Sequence, residues 1–107
     1  MRRVPVRNPD LVWRDEPGEK EAILAALERG EDAAGRGWVI LVDRGRMHEL
    51  NLLAGEIWCL ADGSRDEEGI ARELASRYDA PQEEILADVR EFVASCVPLG
   101  WLRIREV

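Results

Sequence analysis

Trp38-Val39-Ile40-Leu41-Val42-Asp43-Arg44-Gly45-Arg46-Met47-His48-Glu49-Leu50-Asn51 is the stretch whose reading decides the fold. Trp38 to Val42 is nearly continuous in apolar, mostly β-branched residues, and reads as the strongest strand in the chain. Asp43-Arg44-Gly45 follows as a three-residue hairpin loop, with Gly45 taking the left-handed conformation that ends it. Arg46 to Leu50 returns as the partner strand, with His48 and Leu50 on one face and Met47 and Glu49 on the other. Faces this mixed mark an edge strand, open to further pairing.

Outward from the hairpin toward the N-terminus the signals are shorter. Lys20 to Arg29 is rich in helix formers, places Ile23, Leu24 and Leu27 on one face, and is capped by Gly30. Between it and the hairpin, residues 31–37 read as a polar, glycine-rich loop. Leu11 to Arg14 is a short strand, closed by the turn signal Pro17-Gly18. The first ten residues, with Pro5 and Pro9, read as an extended and partly loose arm.

Toward the C-terminus the period changes from two to 3.6. Asn51 is a good N-cap, and Leu53, Ile57 and Leu60 fall on one helical face until Asp62-Gly63 stops the helix. Asp66 caps a second helix, whose acidic first turn (Glu67, Glu68) complements the dipole and whose apolar face is Ile70, Leu74 and Tyr78. Pro81 occupies a first helical position, and Ile85, Val89, Phe92, Val93 and Cys96 form the stripe of a third helix. Pro98 breaks that helix near Val97. Gly100 marks the exit, and Trp101 to Val107 reads as a short extended tail. The outline is α+β: N-terminal strands and a β-hairpin, then a three-helix bundle. That is a winged-helix-like order with the wing placed first.

Length, charge and composition exclude several functions. A chain of 107 residues suits a single domain, and 46% hydrophobic with 35% charged residues is a globular balance. The four tryptophans, Trp13, Trp38, Trp58 and Trp101, are spread along the chain as one anchor per segment. Of the net charge of −7, about −6 lies in residues 51–107, where six Lys/Arg face twelve Asp/Glu. Such a surface repels phosphate backbones and anionic lipid, so neither nucleic acid nor a membrane is expected as a partner. With no membrane-length apolar run and no signal peptide, the expected location is cytoplasmic.

Catalytic and metal chemistry find no foothold. Cys59 and Cys96 are too far apart for a CxxC site and fall on apolar faces, where a thiol is a small hydrophobe. His48 is the sole histidine and has no ligand at metal spacing. Gly35-Arg36-Gly37 lacks the Lys-Ser/Thr of a phosphate loop. The carboxylate pairs sit at helix starts, where the dipole accounts for them. No enzyme activity and no cofactor is expected.

Met47-His48-Glu49-Leu50-Asn51-Leu52-Leu53-Ala54-Gly55-Glu56-Ile57-Trp58 resembles the LN-x-x-A-x-x-I-W core of the PqqD family, and Asp62-Gly63-Ser64-Arg65 is similar to its D-G-x-R/T turn. Ile70 to Tyr78, then Val89, Phe92, Val93 and Leu99-Gly100-Trp101-Leu102, resemble the rest of the pattern. The likeness spans about residues 38–102, leaving an N-terminal extension with the short helix 20–29. It implies a recognition element for ribosomally made, later modified peptides. In that family the leader of a precursor peptide adds as a strand to the hairpin edge, between that edge and the third helix, and is handed to a radical SAM maturase, often one with a SPASM domain. On this chain the resemblance assigns the edge to Arg46, Met47, His48, Glu49 and Leu50, and the groove wall to Ile85, Asp88, Val89 and Phe92. Two departures stand out: the Lys20–Gly37 segment is longer than in the minimal family, and Pro98 interrupts a helix that is usually continuous.

Energetics constrain such a site. Four main-chain bonds contribute about 2–6 kcal/mol net, while ordering a disordered leader costs about 2–5 kcal/mol and association several more. Apolar anchors, each worth ~1.5–3 kcal/mol when fully buried, must supply the remainder. Two other readings of the same outline are a winged-helix DNA-binding regulator and a structural or dimerisation module. The first would send the third helix into the major groove, yet residues 80–97 carry Glu83, Glu84, Asp88 and Glu91 against Arg90 alone.

Overall fold

The computed structural model describes residues 1–33 and 35–107. Its elements are β1 (Arg3–Arg7), β2 (Val12–Asp15), α1 (Pro17–Glu28), β3 (Val39–Asp43), β4 (Arg46–Leu50), α2 (Leu52–Leu60), α3 (Glu67–Tyr78), α4 (Gln82–Cys96) and β5 (Leu102–Glu106). The class is α+β, with every strand pair antiparallel. The chain divides into two compact units, Asp10–Gly55 and Met1–Pro9 with Glu56–Val107. The loop read over 31–37 contains Ala34, which lies outside the described residues.

The Asp10–Gly55 unit is built on a sheet of order β2-β3-β4. Val39 and Leu41 are fully buried, while Val42 points outward and is 39% exposed. Asp43 pairs with Arg46, so the hairpin loop is two residues, Arg44 and Gly45, and not the three expected from sequence. Both loop residues have positive φ, 52° and 76°, the type I′ geometry whose twist matches that of the flanking strands. Pro17-Gly18, expected as a turn, opens α1 instead. Proline at a first helical position gives up an N–H that would have no intrahelical partner, and its fixed φ suits the helix. The buried face of α1 is Ile23 and Ala26, and Leu27 turns to solvent.

The second unit corrects both ends of the chain. The N-terminal arm is strand β1 and the C-terminal tail is strand β5, and the two pair from Arg3↔Glu106 to Arg7↔Leu102. Arg2 and Val107 exchange N–H···O bonds of 2.8 and 2.9 Å. By the antiparallel alternation the next bonded pairs are Val4/Arg105 and Val6/Arg103. Pro5 therefore falls between bonded pairs, where its missing N–H leaves no rung of the ladder empty. On the other side of β1, the Arg7 N–H donates to the Ala61 carbonyl at 2.9 Å, and Val6 bridges Asp62. Arg7 Nη1 also donates to the Trp58 and Cys59 carbonyls at 2.8 Å each, covering groups that the end of α2 leaves without helical partners.

Helices α3 and α4 pack together in this unit. The Asp66 carboxylate accepts from the Gly69 N–H at 2.7 Å, the expected N-cap of α3, whose Ile70, Ala71 and Leu74 are fully buried. Pro81 stands one place earlier than expected, as the N-cap of α4, and Cys96 is the last helical residue before Val97 and Pro98. Two carboxylates are buried and both are paired, as burial of charge requires. Glu56 accepts from the Tyr78 hydroxyl at 2.8 Å and from Arg77 at 3.3 Å. Glu67 accepts from Arg3 at 2.9 Å. Burial first, then the hydrogen bond to Glu56 and its charge, push the Tyr78 hydroxyl above its ordinary pKa, so it stays a donor.

Candidate functional site

Trp38 ties the end of β4 to its surroundings. The Trp38 N–H donates to the Leu50 carbonyl at 3.0 Å, and its own carbonyl accepts from the Glu16 N–H at 2.7 Å. The indole Nε1 donates to the Leu52 carbonyl at 3.1 Å. The ring lies so close to Gly55 that a Cβ there would stand 2.6 Å from Cε2, which fixes glycine at that helical position. Lys20 Nζ sits 4.8 Å above the ring, a cation–π contact. Asn51 Oδ1 accepts from the Ala54 N–H at 3.0 Å and starts α2 directly after the strand. The C-terminal end of β4 is thus held by its neighbour strand, by one indole and by a helix cap.

The outer margin of β4 is open. The order β2-β3-β4 leaves it at the sheet edge. In a two-residue hairpin the closing pair exchanges both main-chain bonds, so the bonded pairs are Asp43/Arg46, Leu41/His48 and Val39/Leu50. The N–H and C=O groups of Met47 and Glu49 therefore point away from β3. Among the described residues nothing pairs with them. Four main-chain groups in a row, two donors and two acceptors, are what an incoming extended chain needs.

The side chains sort by the pleat. His48 and Leu50 share the face of Leu41 and Val39; His48 is half-buried and Leu50 is buried. Met47 and Glu49 lie on the opposite, solvent face, and Arg46 is exposed beside the turn. On that solvent face the register aligns Val12, Val42 and Met47 in one row across the sheet, and Arg14, Ile40 and Glu49 in the next. Val12 is 70% and Met47 65% exposed, and with Val42 they line a shallow depression of about 230 Å³. Neither the Arg14 guanidinium nor the Glu49 carboxylate makes an ion pair or hydrogen bond among the described residues. From sequence Val12 and Val42 are ordinary strand residues. Their exposure follows from the register, which no local pattern states.

The remaining residues singled out from sequence lie on α4, in the other unit. Val89 is fully buried and Ile85 nearly so; both belong to the packed stripe that continues through Val93 and Cys96. Phe92 and Leu86 are half-buried, and Asp88 is exposed. Leu86, off the apolar stripe expected from sequence, is a further partly accessible apolar residue of α4. Burial pushes the Cys96 thiol up to about 12, which keeps it protonated and unreactive. No cluster of three or more His, Cys, Asp or Glu suited to a metal occurs among the described residues.

Comparison with known proteins adds to this geometry. The family model described as Coenzyme PQQ synthesis protein D (PqqD) matches residues 21–102, a span that starts inside α1. A Rhizobium meliloti (strain 1021) protein named PqqA binding protein is 40% identical over 83 residues, covering 74% of this chain and 84% of the relative. A protein of the same name from Xanthomonas oryzae pv. oryzae (strain PXO99A) is 35% identical over 83 residues, covering 78% and 89%. The chain is also similar to the solution NMR structure of the PqqD truncation of Methylobacterium extorquens PqqCD, described as a functional, stand-alone RiPP recognition element. There the TM-score is 0.64 at 22% identity, with 94% of this chain and 88% of the other covered. At that identity the likeness is one of fold.

Proposed function

The chain belongs to the PqqD family, and on that premise we propose that it is a non-catalytic chaperone that binds a ribosomally made precursor peptide of the PqqA kind along β4. One observation supports this above the others: the N–H and C=O groups of Met47 and Glu49 form an unpaired edge of the sheet. The leader enters as a fourth strand, with its main chain on those groups. Arg46, His48 and Leu50 supply side chains along the same strand. The family resemblance also assigns Ile85, Asp88, Val89 and Phe92 of α4 to peptide contact; of these Phe92 is half-buried and Asp88 exposed. In this reading the hairpin plays the wing of a winged-helix-like arrangement, and the loaded chaperone presents the peptide to a radical SAM enzyme.

The mechanism is one of ordering. A free leader samples many conformations, and pairing with a pre-formed edge fixes its backbone before the enzyme meets it, so the enzyme is spared that entropy. DNA reading finds no support in α4, where Glu83, Glu84, Asp88 and Glu91 are exposed and outnumber Arg90.

Titrating the isotope-labelled chain with a synthetic precursor of the PqqA kind tests the reading. The Met47 and Glu49 amides should shift most within the sheet, and their exchange with solvent should slow on saturation. A saturating titration that leaves both amides unshifted and unprotected rules out strand addition at β4.

A further inference from the structure

The solvent face of β4 carries a chemistry that strand addition alone does not use. Row one, Val12–Val42–Met47, is apolar and exposed and ends at Met47. Row two, Arg14–Ile40–Glu49, ends in a carboxylate with no counter-charge among the described residues. Arg14 is at the far end of that row. With strands ~4.8 Å apart, its Cα lies roughly 9.6 Å from that of Glu49, and its guanidinium makes no ion pair with that carboxylate among the described residues. Both rows stop at the margin where main-chain groups are unpaired, so the next side chain in each would come from an added strand.

Resting on the reading above, we propose that Met47 and Glu49 are specificity residues that select a bound strand having an aliphatic or aromatic side chain beside Met47 and a lysine or arginine beside Glu49. Because Met47 and Glu49 are two apart and both offer their main-chain groups outward, the two selected residues in the ligand are also two apart, with one residue between them facing the opposite side. Directly opposed residues on adjacent strands have Cβ atoms about 4.5–5.5 Å apart, close enough for an apolar pair or an ion pair. Met47 suits the first role because its unbranched thioether adapts to several apolar partners. The residue between the two contributes to the other face and is not constrained by either row.

A second copy of this chain is the wrong occupant. Antiparallel pairing of two β4 strands about His48 sets Met47 opposite Glu49, an apolar side chain against a carboxylate. Moving the register by two sets Glu49 opposite Glu49 or Met47 opposite Met47 with Glu49 facing the turn. Each arrangement also brings together two chains of net charge −7.

The test is selection of random twelve-residue peptides displayed against the immobilised full chain, repeated with Glu49→Arg and Glu49→Gln. Peptides enriched on the natural chain should carry a lysine or arginine two positions from an aliphatic or aromatic residue. Glu49→Arg should replace that cation with an acidic residue, and Glu49→Gln should remove the charge preference while keeping the apolar one. For one selected peptide, exchanging its cation for glutamate should weaken binding to the natural chain about 2- to 30-fold and strengthen binding to Glu49→Arg by a similar factor. Glu49 is exposed, so thermal melts of both variants should match the natural chain, which checks folding. Enriched peptides with no preference at this spacing, or the same preference on Glu49→Arg, overturn this inference and leave strand addition standing. Failure to enrich any peptide, together with self-association of the chain through β4, overturns both.

Discussion

Among the described residues there are two small sheets, and strands β1 and β4 show how differently a margin can be treated. The β1 margin is tied within its unit. Arg2 and Val107 extend its ladder at the chain ends, β1 is tied to Ala61 and Asp62, and Arg2 and Arg3 are paired with Asp66 and Glu67. The β2-β3-β4 sheet leaves two main-chain donors and two acceptors unmet at β4, along with an exposed apolar row and unpaired charges on its face. An unmet strand edge is a liability that folded chains ordinarily cover. The β1 margin is tied within its unit while β4 is left open, and the proposed binding rests on that difference.

If the comparison is sound, neighbours within β3 should differ most. Leu41→Ala, at a position with no solvent exposure, should cost about 2–5 kcal/mol in urea unfolding. Val42→Ala, the next residue, should cost under ~1 kcal/mol, because its side chain already faces water. Comparable losses at both positions would mean the face of Val42 is covered after all.

A proline pair probes the edge itself. His48→Pro removes an N–H bonded to Leu41 and should destabilise the fold by about 1–3 kcal/mol. Met47→Pro removes an N–H that points outward; stability should change by less than ~1 kcal/mol, while peptide affinity in a calorimetric titration falls to background. A Met47→Pro chain that binds normally would break the proposed link between open margin and function.

The smallest effect belongs to the closed side. The Gly69 N–H first, with the Arg2 guanidinium added against the opposing effect of burial, holds the Asp66 carboxyl below its ordinary range. A depressed carboxylate contributes stability above its unfolded pKa of ~3.9 and loses that contribution as pH falls through the folded value. Asp66→Ala should therefore cost ~1 kcal/mol at neutral pH through the lost cap, and the gap to the natural chain should narrow as the pH falls below the ordinary carboxylate range in acid-unfolding curves.

The hairpin, the Asn51 and Asp66 caps and the end of α4 were readable because each is local: a β-branched run, an N-cap before an apolar period, a proline after it. The β1–β5 pairing was not, since Arg3 and Glu106 are remote in sequence and Pro5 argues against a strand to any reader who lacks the register. Pro17 was ambiguous for a related reason, because proline opens turns and helices alike, and only the following helix decides. For the candidate site, the β4 edge was visible in its mixed alternation. The division of α4 into buried Val89 and half-exposed Phe92 was not, because an apolar stripe does not say which of its members face a neighbour and which a ligand.

The open margin of β4 has a cost outside recognition. A strand that will accept a foreign backbone will also accept an identical one, and the opposing influence is Coulombic: Glu49 on the strand and the excess of carboxylates elsewhere. Mild acid that neutralises those carboxylates lifts that restraint, so storage and concentration of the unloaded chaperone near its isoelectric point should favour strand-to-strand templating and precipitation, and saturation with a leader should protect against it.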